Sequence, residues 1–191
     1  AVGYNSGLYV SSGVRNTFVG SLSGQGVSSP TTSGNENTAI GYSSGLVLQG
    51  AAVGNTFTGS TSGTAVTTGQ YNTLVGFQCG DSLTTMTHNT AMGADALSGS
   101  SLVDQCIIIG SQAGAGSITA AADGTVAIGY SALNALTSGG GNVAIGYEAL
   151  LQETTGAQNI AIGYGTMNDT GGVVGGGNNI AIGYPSMDGD W

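Results

Sequence analysis

The chain has no lysine, one arginine (Arg15), one histidine (His88), two prolines and two cysteines among 191 residues, and only 6% of its residues are charged. Each shortage excludes something. Without basic side chains there is nothing to neutralise a row of phosphates, so nucleic-acid binding is not expected. Attachment to an anionic membrane surface fails on the same ground. No apolar run approaches the ~18 residues that a membrane-spanning helix needs, so membrane insertion is not expected. With one His and one Arg the supply of groups for acid–base or nucleophilic catalysis is poor, and the chain reads as a non-enzyme. Two prolines and no three-residue glycine period exclude collagen.

What the chain has is glycine, 37 residues of it, together with abundant Val, Ile, Thr and Tyr. Each glycine inside a helix costs about 1 kcal/mol relative to alanine, so long helices are not expected. The β-branched content and low charge argue against disorder. The net charge is −9. A surface of Ser, Thr, Asn and Gly without lysine suits an extracellular, cell-surface or virion setting better than a mixed-charge cytoplasmic one.

One phrase recurs along the chain: Asn, a β-branched residue, two apolar residues, Gly, then often Tyr. It reads Asn37 to Tyr42, Asn72 to Phe77, Asn142 to Tyr147, Asn159 to Tyr164 and Asn179 to Tyr184. The phrase glycines are Gly3, Gly20, Gly41, Gly59, Gly76, Gly93, Gly110, Gly129, Gly146, Gly163 and Gly183, and six of their ten spacings are 17 with none shorter. A fixed coil with one tolerant loop gives insertions without deletions. The expected fold is all-β: a parallel β-solenoid of about eleven coils with a basic 17-residue period, forming a single domain over residues 1–191. An antiparallel array of hairpins would need two strand phrases per unit, and only one is strongly periodic.

Alignment on the glycine gives columns. Asn stands four residues before it in Asn16, Asn37, Asn55, Asn72, Asn89, Asn142, Asn159 and Asn179, with Cys106 and Thr125 as exceptions. An Asn repeated in every coil forms an amide ladder and tolerates a corner. Because strand side chains alternate, the columns one and three before the glycine share a face. These hold Ile128, Ile145 and Ile162, and Thr17, Thr38, Thr56, Thr73 and Thr90 giving way to Ile107, Val126 and Val143. That apolar face is expected to be the buried core stripe. The intervening column, mostly Ala with Phe18, Phe57, Leu74 and Ile108, is expected to point the other way. Core packing is thus preferred over an ice-binding array for the Thr column. Three residues after the glycine every residue is small. The next position is Gly in six coils, the last at Gly114, and an apolar plug such as Leu150 in the other five, where a short helical turn is expected.

No constellation for chemistry emerges. His88 falls in a variable polar corner column. Asp95 and Glu148, or Asp81 and Asp188, share columns only at three or six coils' distance, so neither a metal site nor any cofactor is expected. Asp188 and Asp190 read as a solvated tail. Cys79 and Cys106 could pair in an oxidising compartment, and each is also explained as a tolerated small residue. Asn168-Asp169-Thr170 is a lone N-glycosylation sequon, making Asn168 a possible acceptor.

The phrase Asn-x-Ala-Ile-Gly resembles the head repeats of trimeric autotransporter adhesins (YadA-like heads), and Asn-Thr-Ala-Ile-Gly-Tyr is similar to repeats of phage and viral tail-fibre proteins. The resemblance covers Ala1 to Tyr184, with a longer period than the adhesin repeat. It implies a parallel β-roll that trimerises and binds host surfaces. Two functions follow as expectations. The first is a structural fibre subunit or segment that self-assembles by head-to-tail coil stacking or as a homotrimer; both ends of the sequence falling within or close to a phrase, with no polar cap, favours it. The second is an adhesin or receptor-binding segment recognising surface glycans or matrix. Its loops would be Ser28 to Asn35 and Thr170 to Gly177, with Tyr71 and Trp191 as candidate aromatics.

Overall fold

The computed structural model describes residues 1–28, 34–100, 102–168 and 176–187. Ten strands of three residues each form one sheet: β1 (Thr17–Val19), β2 (Thr38–Ile40), β3 (Thr56–Thr58), β4 (Thr73–Val75), β5 (Thr90–Met92), β6 (Ile107–Ile109), β7 (Val126–Ile128), β8 (Val143–Ile145), β9 (Ile160–Ile162) and β10 (Ile180–Ile182). Every neighbouring pair is parallel and follows chain order from β1 to β10. Each coil therefore contributes one strand and returns to lie beside it, which is a parallel β-solenoid. A bridge between Val2 and Val19 adds the first phrase to the same stack. At ~4.8 Å per coil, the nine steps from β1 to β10 span ~43 Å.

The register is the alignment made physical. Ile128 pairs with Ile145, Ile145 with Ile162, and Ile162 with Ile182. Inter-coil hydrogen bonds continue past the strands, as from Gly146 N–H to Ile128 C=O (2.8 Å) and from Glu148 N–H to Tyr130 C=O (2.9 Å).

The phrase glycine is required by this stacking. Its φ lies between +129° and +143° in all eleven phrases, and a Cβ on Gly146 would stand 2.1 Å from the carbonyl oxygen of Gly163. The same collision with the following coil meets a Cβ on Gly20, Gly41, Gly59, Gly76, Gly93, Gly110 or Gly129. Only a residue without a side chain lets the coils approach to hydrogen-bonding distance at this corner.

The core lies on the opposite face from the one expected. In every strand the central residue is buried and the two flanking residues are partly or fully exposed. Phe18, Ala39, Phe57, Leu74, Ala91, Ile108, Ala127, Ala144, Ala161 and Ala181 point inward, whereas the Thr and Val/Ile columns face out. The reason lies in the Asn. It stands two residues before the strand centre and shares its face, and its amide must be inside to make its bonds. A narrow coil interior also suits Ala better than two files of Ile. The β-branched flanks are explained by strand propensity rather than burial. The Thr column of β1 to β5 therefore faces solvent rather than the core, and it gives way to Ile and Val from Ile107 onward.

The core is filled by a reciprocal arrangement. Where the strand centre is large, the position six residues later is Gly: Phe18 with Gly24, Phe57 with Gly63, Leu74 with Gly80, Ile108 with Gly114. Where the centre is Ala, that position is large: Ala91 with Leu97, Ala127 with Leu133, Ala144 with Leu150, Ala161 with Met167, Ala181 with Met187. A Cβ on Gly24 would lie 2.3 Å from the Phe18 ring, and one on Gly80 would lie 2.8 Å from Leu74. One volume is thus supplied from either side of the coil. The exception, Ala39 with Gly45, is filled by Leu48 and the next coil's Phe57, which approach Gly45 most closely.

The later plug is a turn residue, not a helix. Leu97, Leu133, Leu150 and Met167 have φ between +52° and +57°. The left-handed conformation costs an L-residue about 1–2 kcal/mol, and full burial of a Leu returns about 1.5–3 kcal/mol. The plug is therefore favourable where it is fully buried, as Leu97, Leu133 and Leu150 are.

Candidate functional site

The residues singled out by the repeat form two surfaces and one internal line. The internal line is the Asn file. Asn37, Asn55, Asn72 and Asn89 are buried, and each donates a side-chain N–H to the Oδ1 of the preceding Asn: Asn37 to Asn16 (3.3 Å), Asn55 to Asn37 (2.9 Å), Asn72 to Asn55 (3.0 Å) and Asn89 to Asn72 (3.2 Å). Each also donates its backbone N–H to that oxygen. Their amide nitrogens donate further to carbonyls of the next coil, as Asn72 does to Met86 (2.7 Å). Every polar atom of the corner is used, which leaves the file structural and unavailable to a ligand.

The file breaks in the middle. Cys106 donates its N–H to Asn89 Oδ1 (3.0 Å) but offers no amide to the following coil, and Thr125 turns its hydroxyl to Ala122 C=O (2.8 Å). The file resumes at Asn142, whose Oδ1 accepts from Asn159 N–H, and ends with Asn179 donating to Asn159 (3.0 Å). Cys79 and Cys106 are both free and buried. Burial pushes the Cys79 thiol up to about 12 and that of Cys106 up to about 11, so neither is a nucleophile at neutral pH.

The first surface is the outward face of the sheet. It carries no charged residue from Thr17 to Ile182 in its two strand columns. Threonine dominates the column three before the glycine in β1 to β5, and Ile or Val takes over from β6 to β10. Beside it runs the second surface, the file that follows the glycine. Tyr130, Tyr147 and Tyr164 are exposed here and stack, with ring centroids 5.2 and 4.8 Å apart in succession, and exposed Tyr184 follows with its ring tilted 56° to that of Tyr164 at 5.3 Å. Tyr4, Tyr42 and Phe77 occupy the file earlier, separated by Ser or Ala.

His88 is exposed at a corner with φ +62°, its ring centroid 5.2 Å from that of Tyr71. Arg15 is occupied by Glu36 (2.6 Å), both largely exposed. Two arrangements escaped the column reading. Asp104 and Asp123 stand in one column in adjacent coils, six residues before Gly110 and Gly129. Asp123 Oδ1 accepts the Asp104 N–H (2.8 Å), and Asp104 Oδ1 accepts from Thr87 N–H, as Asn35 Oδ1 does from Val14 N–H. These carboxylates bridge coils, and aligning that column would have revealed them. Glu153 is buried in a file that elsewhere holds Leu48, Val66, Leu83 and Leu136, and its Oε1 accepts the N–H groups of Thr155 (2.9 Å) and Gly156 (2.6 Å). Among the described residues no group of three or more His, Cys, Asp or Glu side chains is placed to hold a metal ion, and no helix is long and apolar enough to cross a membrane.

Asn168 is half-buried with its Oδ1 unpaired, and the other two residues of its sequon lie outside the described residues. So do Asp188, Asp190 and Trp191, and most of the two loops named for glycan recognition. No family model, curated protein or solved structure matches the chain.

Proposed function

We propose that the chain is a structural segment of an extracellular or viral fibre in which copies of the solenoid associate with one another. The observation that supports this most is the outward sheet face: two uncharged columns, β-branched except at Met92, running the length of the sheet, with Ile182 still 67% exposed. Large contiguous apolar surface on a soluble chain marks a place of association. The face is corrugated at one coil rise, and a partner that meshes along its whole length must share that rise. A second copy does so. Coil stacking between copies, end to end, would repeat the bonds that already join β9 to β10. The resemblance of the Asn-x-Ala-Ile-Gly phrase to trimeric adhesin heads and tail fibres points the same way.

Sedimentation and negative-stain microscopy of the purified chain test this. Uniform rods or discrete oligomers are expected, and Ile145→Lys with Ile162→Lys should disperse laterally associated ones while leaving the circular dichroism unchanged. A chain that stays monomeric at all concentrations contradicts the reading. A second reading, recognition of surface glycans, rests on the exposed Tyr71–His88 ring pair; a glycan array with no bound sugar removes it.

A further inference from the structure

The tyrosine file of the last coils has no part in the core or in the Asn ladder. Tyr147 and Tyr164 lie parallel, 4.8 Å between centroids at an interplanar angle of 7°, and Tyr130 stacks on Tyr147 at 5.2 Å and 16°. All three rings are exposed, Tyr147 at 40% and Tyr164 at 53%. They are held there by backbone rather than by their own contacts, because Gly163 N–H donates to Ile145 C=O (2.8 Å) and Gly165 N–H to Tyr147 C=O (2.9 Å). Apart from Tyr130, Tyr147, Tyr164 and Tyr184, no consecutive coils carry aromatic residues in this file.

We infer that Tyr147 and Tyr164 form a built-in site of oxidative cross-linking, joined as a dityrosine when the chain meets hydrogen peroxide and a haem peroxidase. Each phenol gives up one electron and its hydroxyl proton to become a phenoxyl radical, with unpaired density on the ring carbons ortho to the oxygen. Parallel stacking puts the two ortho carbons on facing rings. Their radicals couple in a new carbon–carbon bond, and each ortho hydrogen then moves to oxygen as the rings become aromatic again. The pair has lost two hydrogen atoms, which reduce one hydrogen peroxide to two waters. A hydrogen bond to the Glu148 carboxylate holds the Tyr147 phenol above its ordinary pKa and offers a proton acceptor beside it when the ring is oxidised. Tyr130 extends the stack and Tyr184 lies beside its other end, its ring tilted and 5.3 Å from that of Tyr164, so oxidation at either ring can migrate to the central pair. The bond would staple coil to coil along the axis of the solenoid.

This inference concerns a single chain and does not rest on the fibre reading, so the test is made at a dilution where the chain sediments as a monomer. Treatment with peroxide and horseradish peroxidase should give dityrosine emission, a mass lower by two hydrogens and an unchanged monomer band in a denaturing gel. Cleavage after glutamate separates Tyr147, in the fragment ending at Glu148, from Tyr164, in the fragment beginning at Thr154, and the two fragments should be recovered joined. Tyr147→Phe keeps a ring in the stack, as Phe77 does elsewhere in the file, and should abolish that joined product. Tyr42→Phe should leave it unchanged. Absence of dityrosine, a link that maps to other tyrosines, a dimer band in place of the internal link, or an undiminished joined product in Tyr147→Phe would each overturn it.

Discussion

The coils of β1 to β4 and those of β7 to β10 reach one backbone by opposite means. The early coils fill the interior mainly from the strand, with Phe18, Phe57 and Leu74, and leave glycine at the turn. They add hydroxyl bridges across coils, as from Ser23 Oγ to Ala39 C=O (2.7 Å) and Ser62 Oγ to Leu74 C=O (3.0 Å). The late coils fill the interior from the turn, with Leu133, Leu150 and Met167, and put Ala at the strand. Several replace the bridging serine by Ala132 or Ala149. Between them lie two mixed coils, β5 with Ala91 and Leu97 and β6 with Ile108 and Gly114, and the same stretch carries the broken Asn file at Cys106 and Thr125, the 3₁₀ turn Ala120–Ala122 and the exchange of Thr for Ile on the outer face. What stays fixed across this stretch is the glycine corner and the strand register; what is free is the side of the coil that supplies the volume.

The largest expected effect is one that ignores the comparison. Gly59→Ala in the early half and Gly146→Ala in the late half should each cost about 3 kcal/mol or more, because both collide with a backbone carbonyl. Urea denaturation that shows one half tolerant would break the equivalence of the coils. Next comes the volume exchange. Phe57→Ala alone should cost about 3–5 kcal/mol, and Gly63→Leu alone should be strongly destabilising because its Cβ meets the Phe57 ring at 3.0 Å. The double variant copies Ala144 with Leu150 and should recover about 1–3 kcal/mol relative to the sum of the singles; strict additivity in a double-mutant cycle would refute the reciprocal core.

The Asn file gives a pair of opposite sign. Asn72→Ala removes the acceptor for both Asn89 N–H groups and should cost about 1–3 kcal/mol. Cys106→Asn restores an amide that reaches toward Asn89 Oδ1 and Ala122 C=O, and should raise the denaturation midpoint by about 1 kcal/mol equivalent. Smaller still is a pH effect. Both thiols titrate in the folded chain well above their ordinary 9.0. The stability they contribute is complete below pH 9 and falls as pH rises toward 11 and 12, because the unfolded thiols ionise first. Cys79→Ala with Cys106→Ala should flatten the alkaline limb of a stability–pH curve. At the bottom, Arg15→Ala should change stability by less than about 0.5 kcal/mol, since its ion pair is exposed.

The sequence displayed the coil, its period and its register, because a stacked repeat turns each alignment column into a file of neighbours. It displayed the Asn file for the same reason. The direction of the faces was less legible. In a three-residue strand both parities are apolar, and hydrophobicity alone favours Ile145 over Ala144 for the interior. The decisive sign was the Asn two residues earlier, which shares the parity of Ala144 and needs an enclosed amide. The reciprocal core was hidden because its partners, such as Ala144 and Leu150, occupy two columns that each look variable until they are compared coil by coil. The Asp104–Asp123 bridge was overlooked for want of aligning its own column.

Everything rests on the strand centre facing inward and its neighbours outward. A single-thiol comparison tests that most directly: Ala144→Cys and Ile145→Cys, each in a background of Cys79→Ala and Cys106→Ala, labelled with a maleimide in the dilute monomer. The thiol at 145, half-exposed, should react readily in the folded chain, and the thiol at 144 should stay protected until the chain is denatured. The reverse order would place the core on the Ile face and contradict the account.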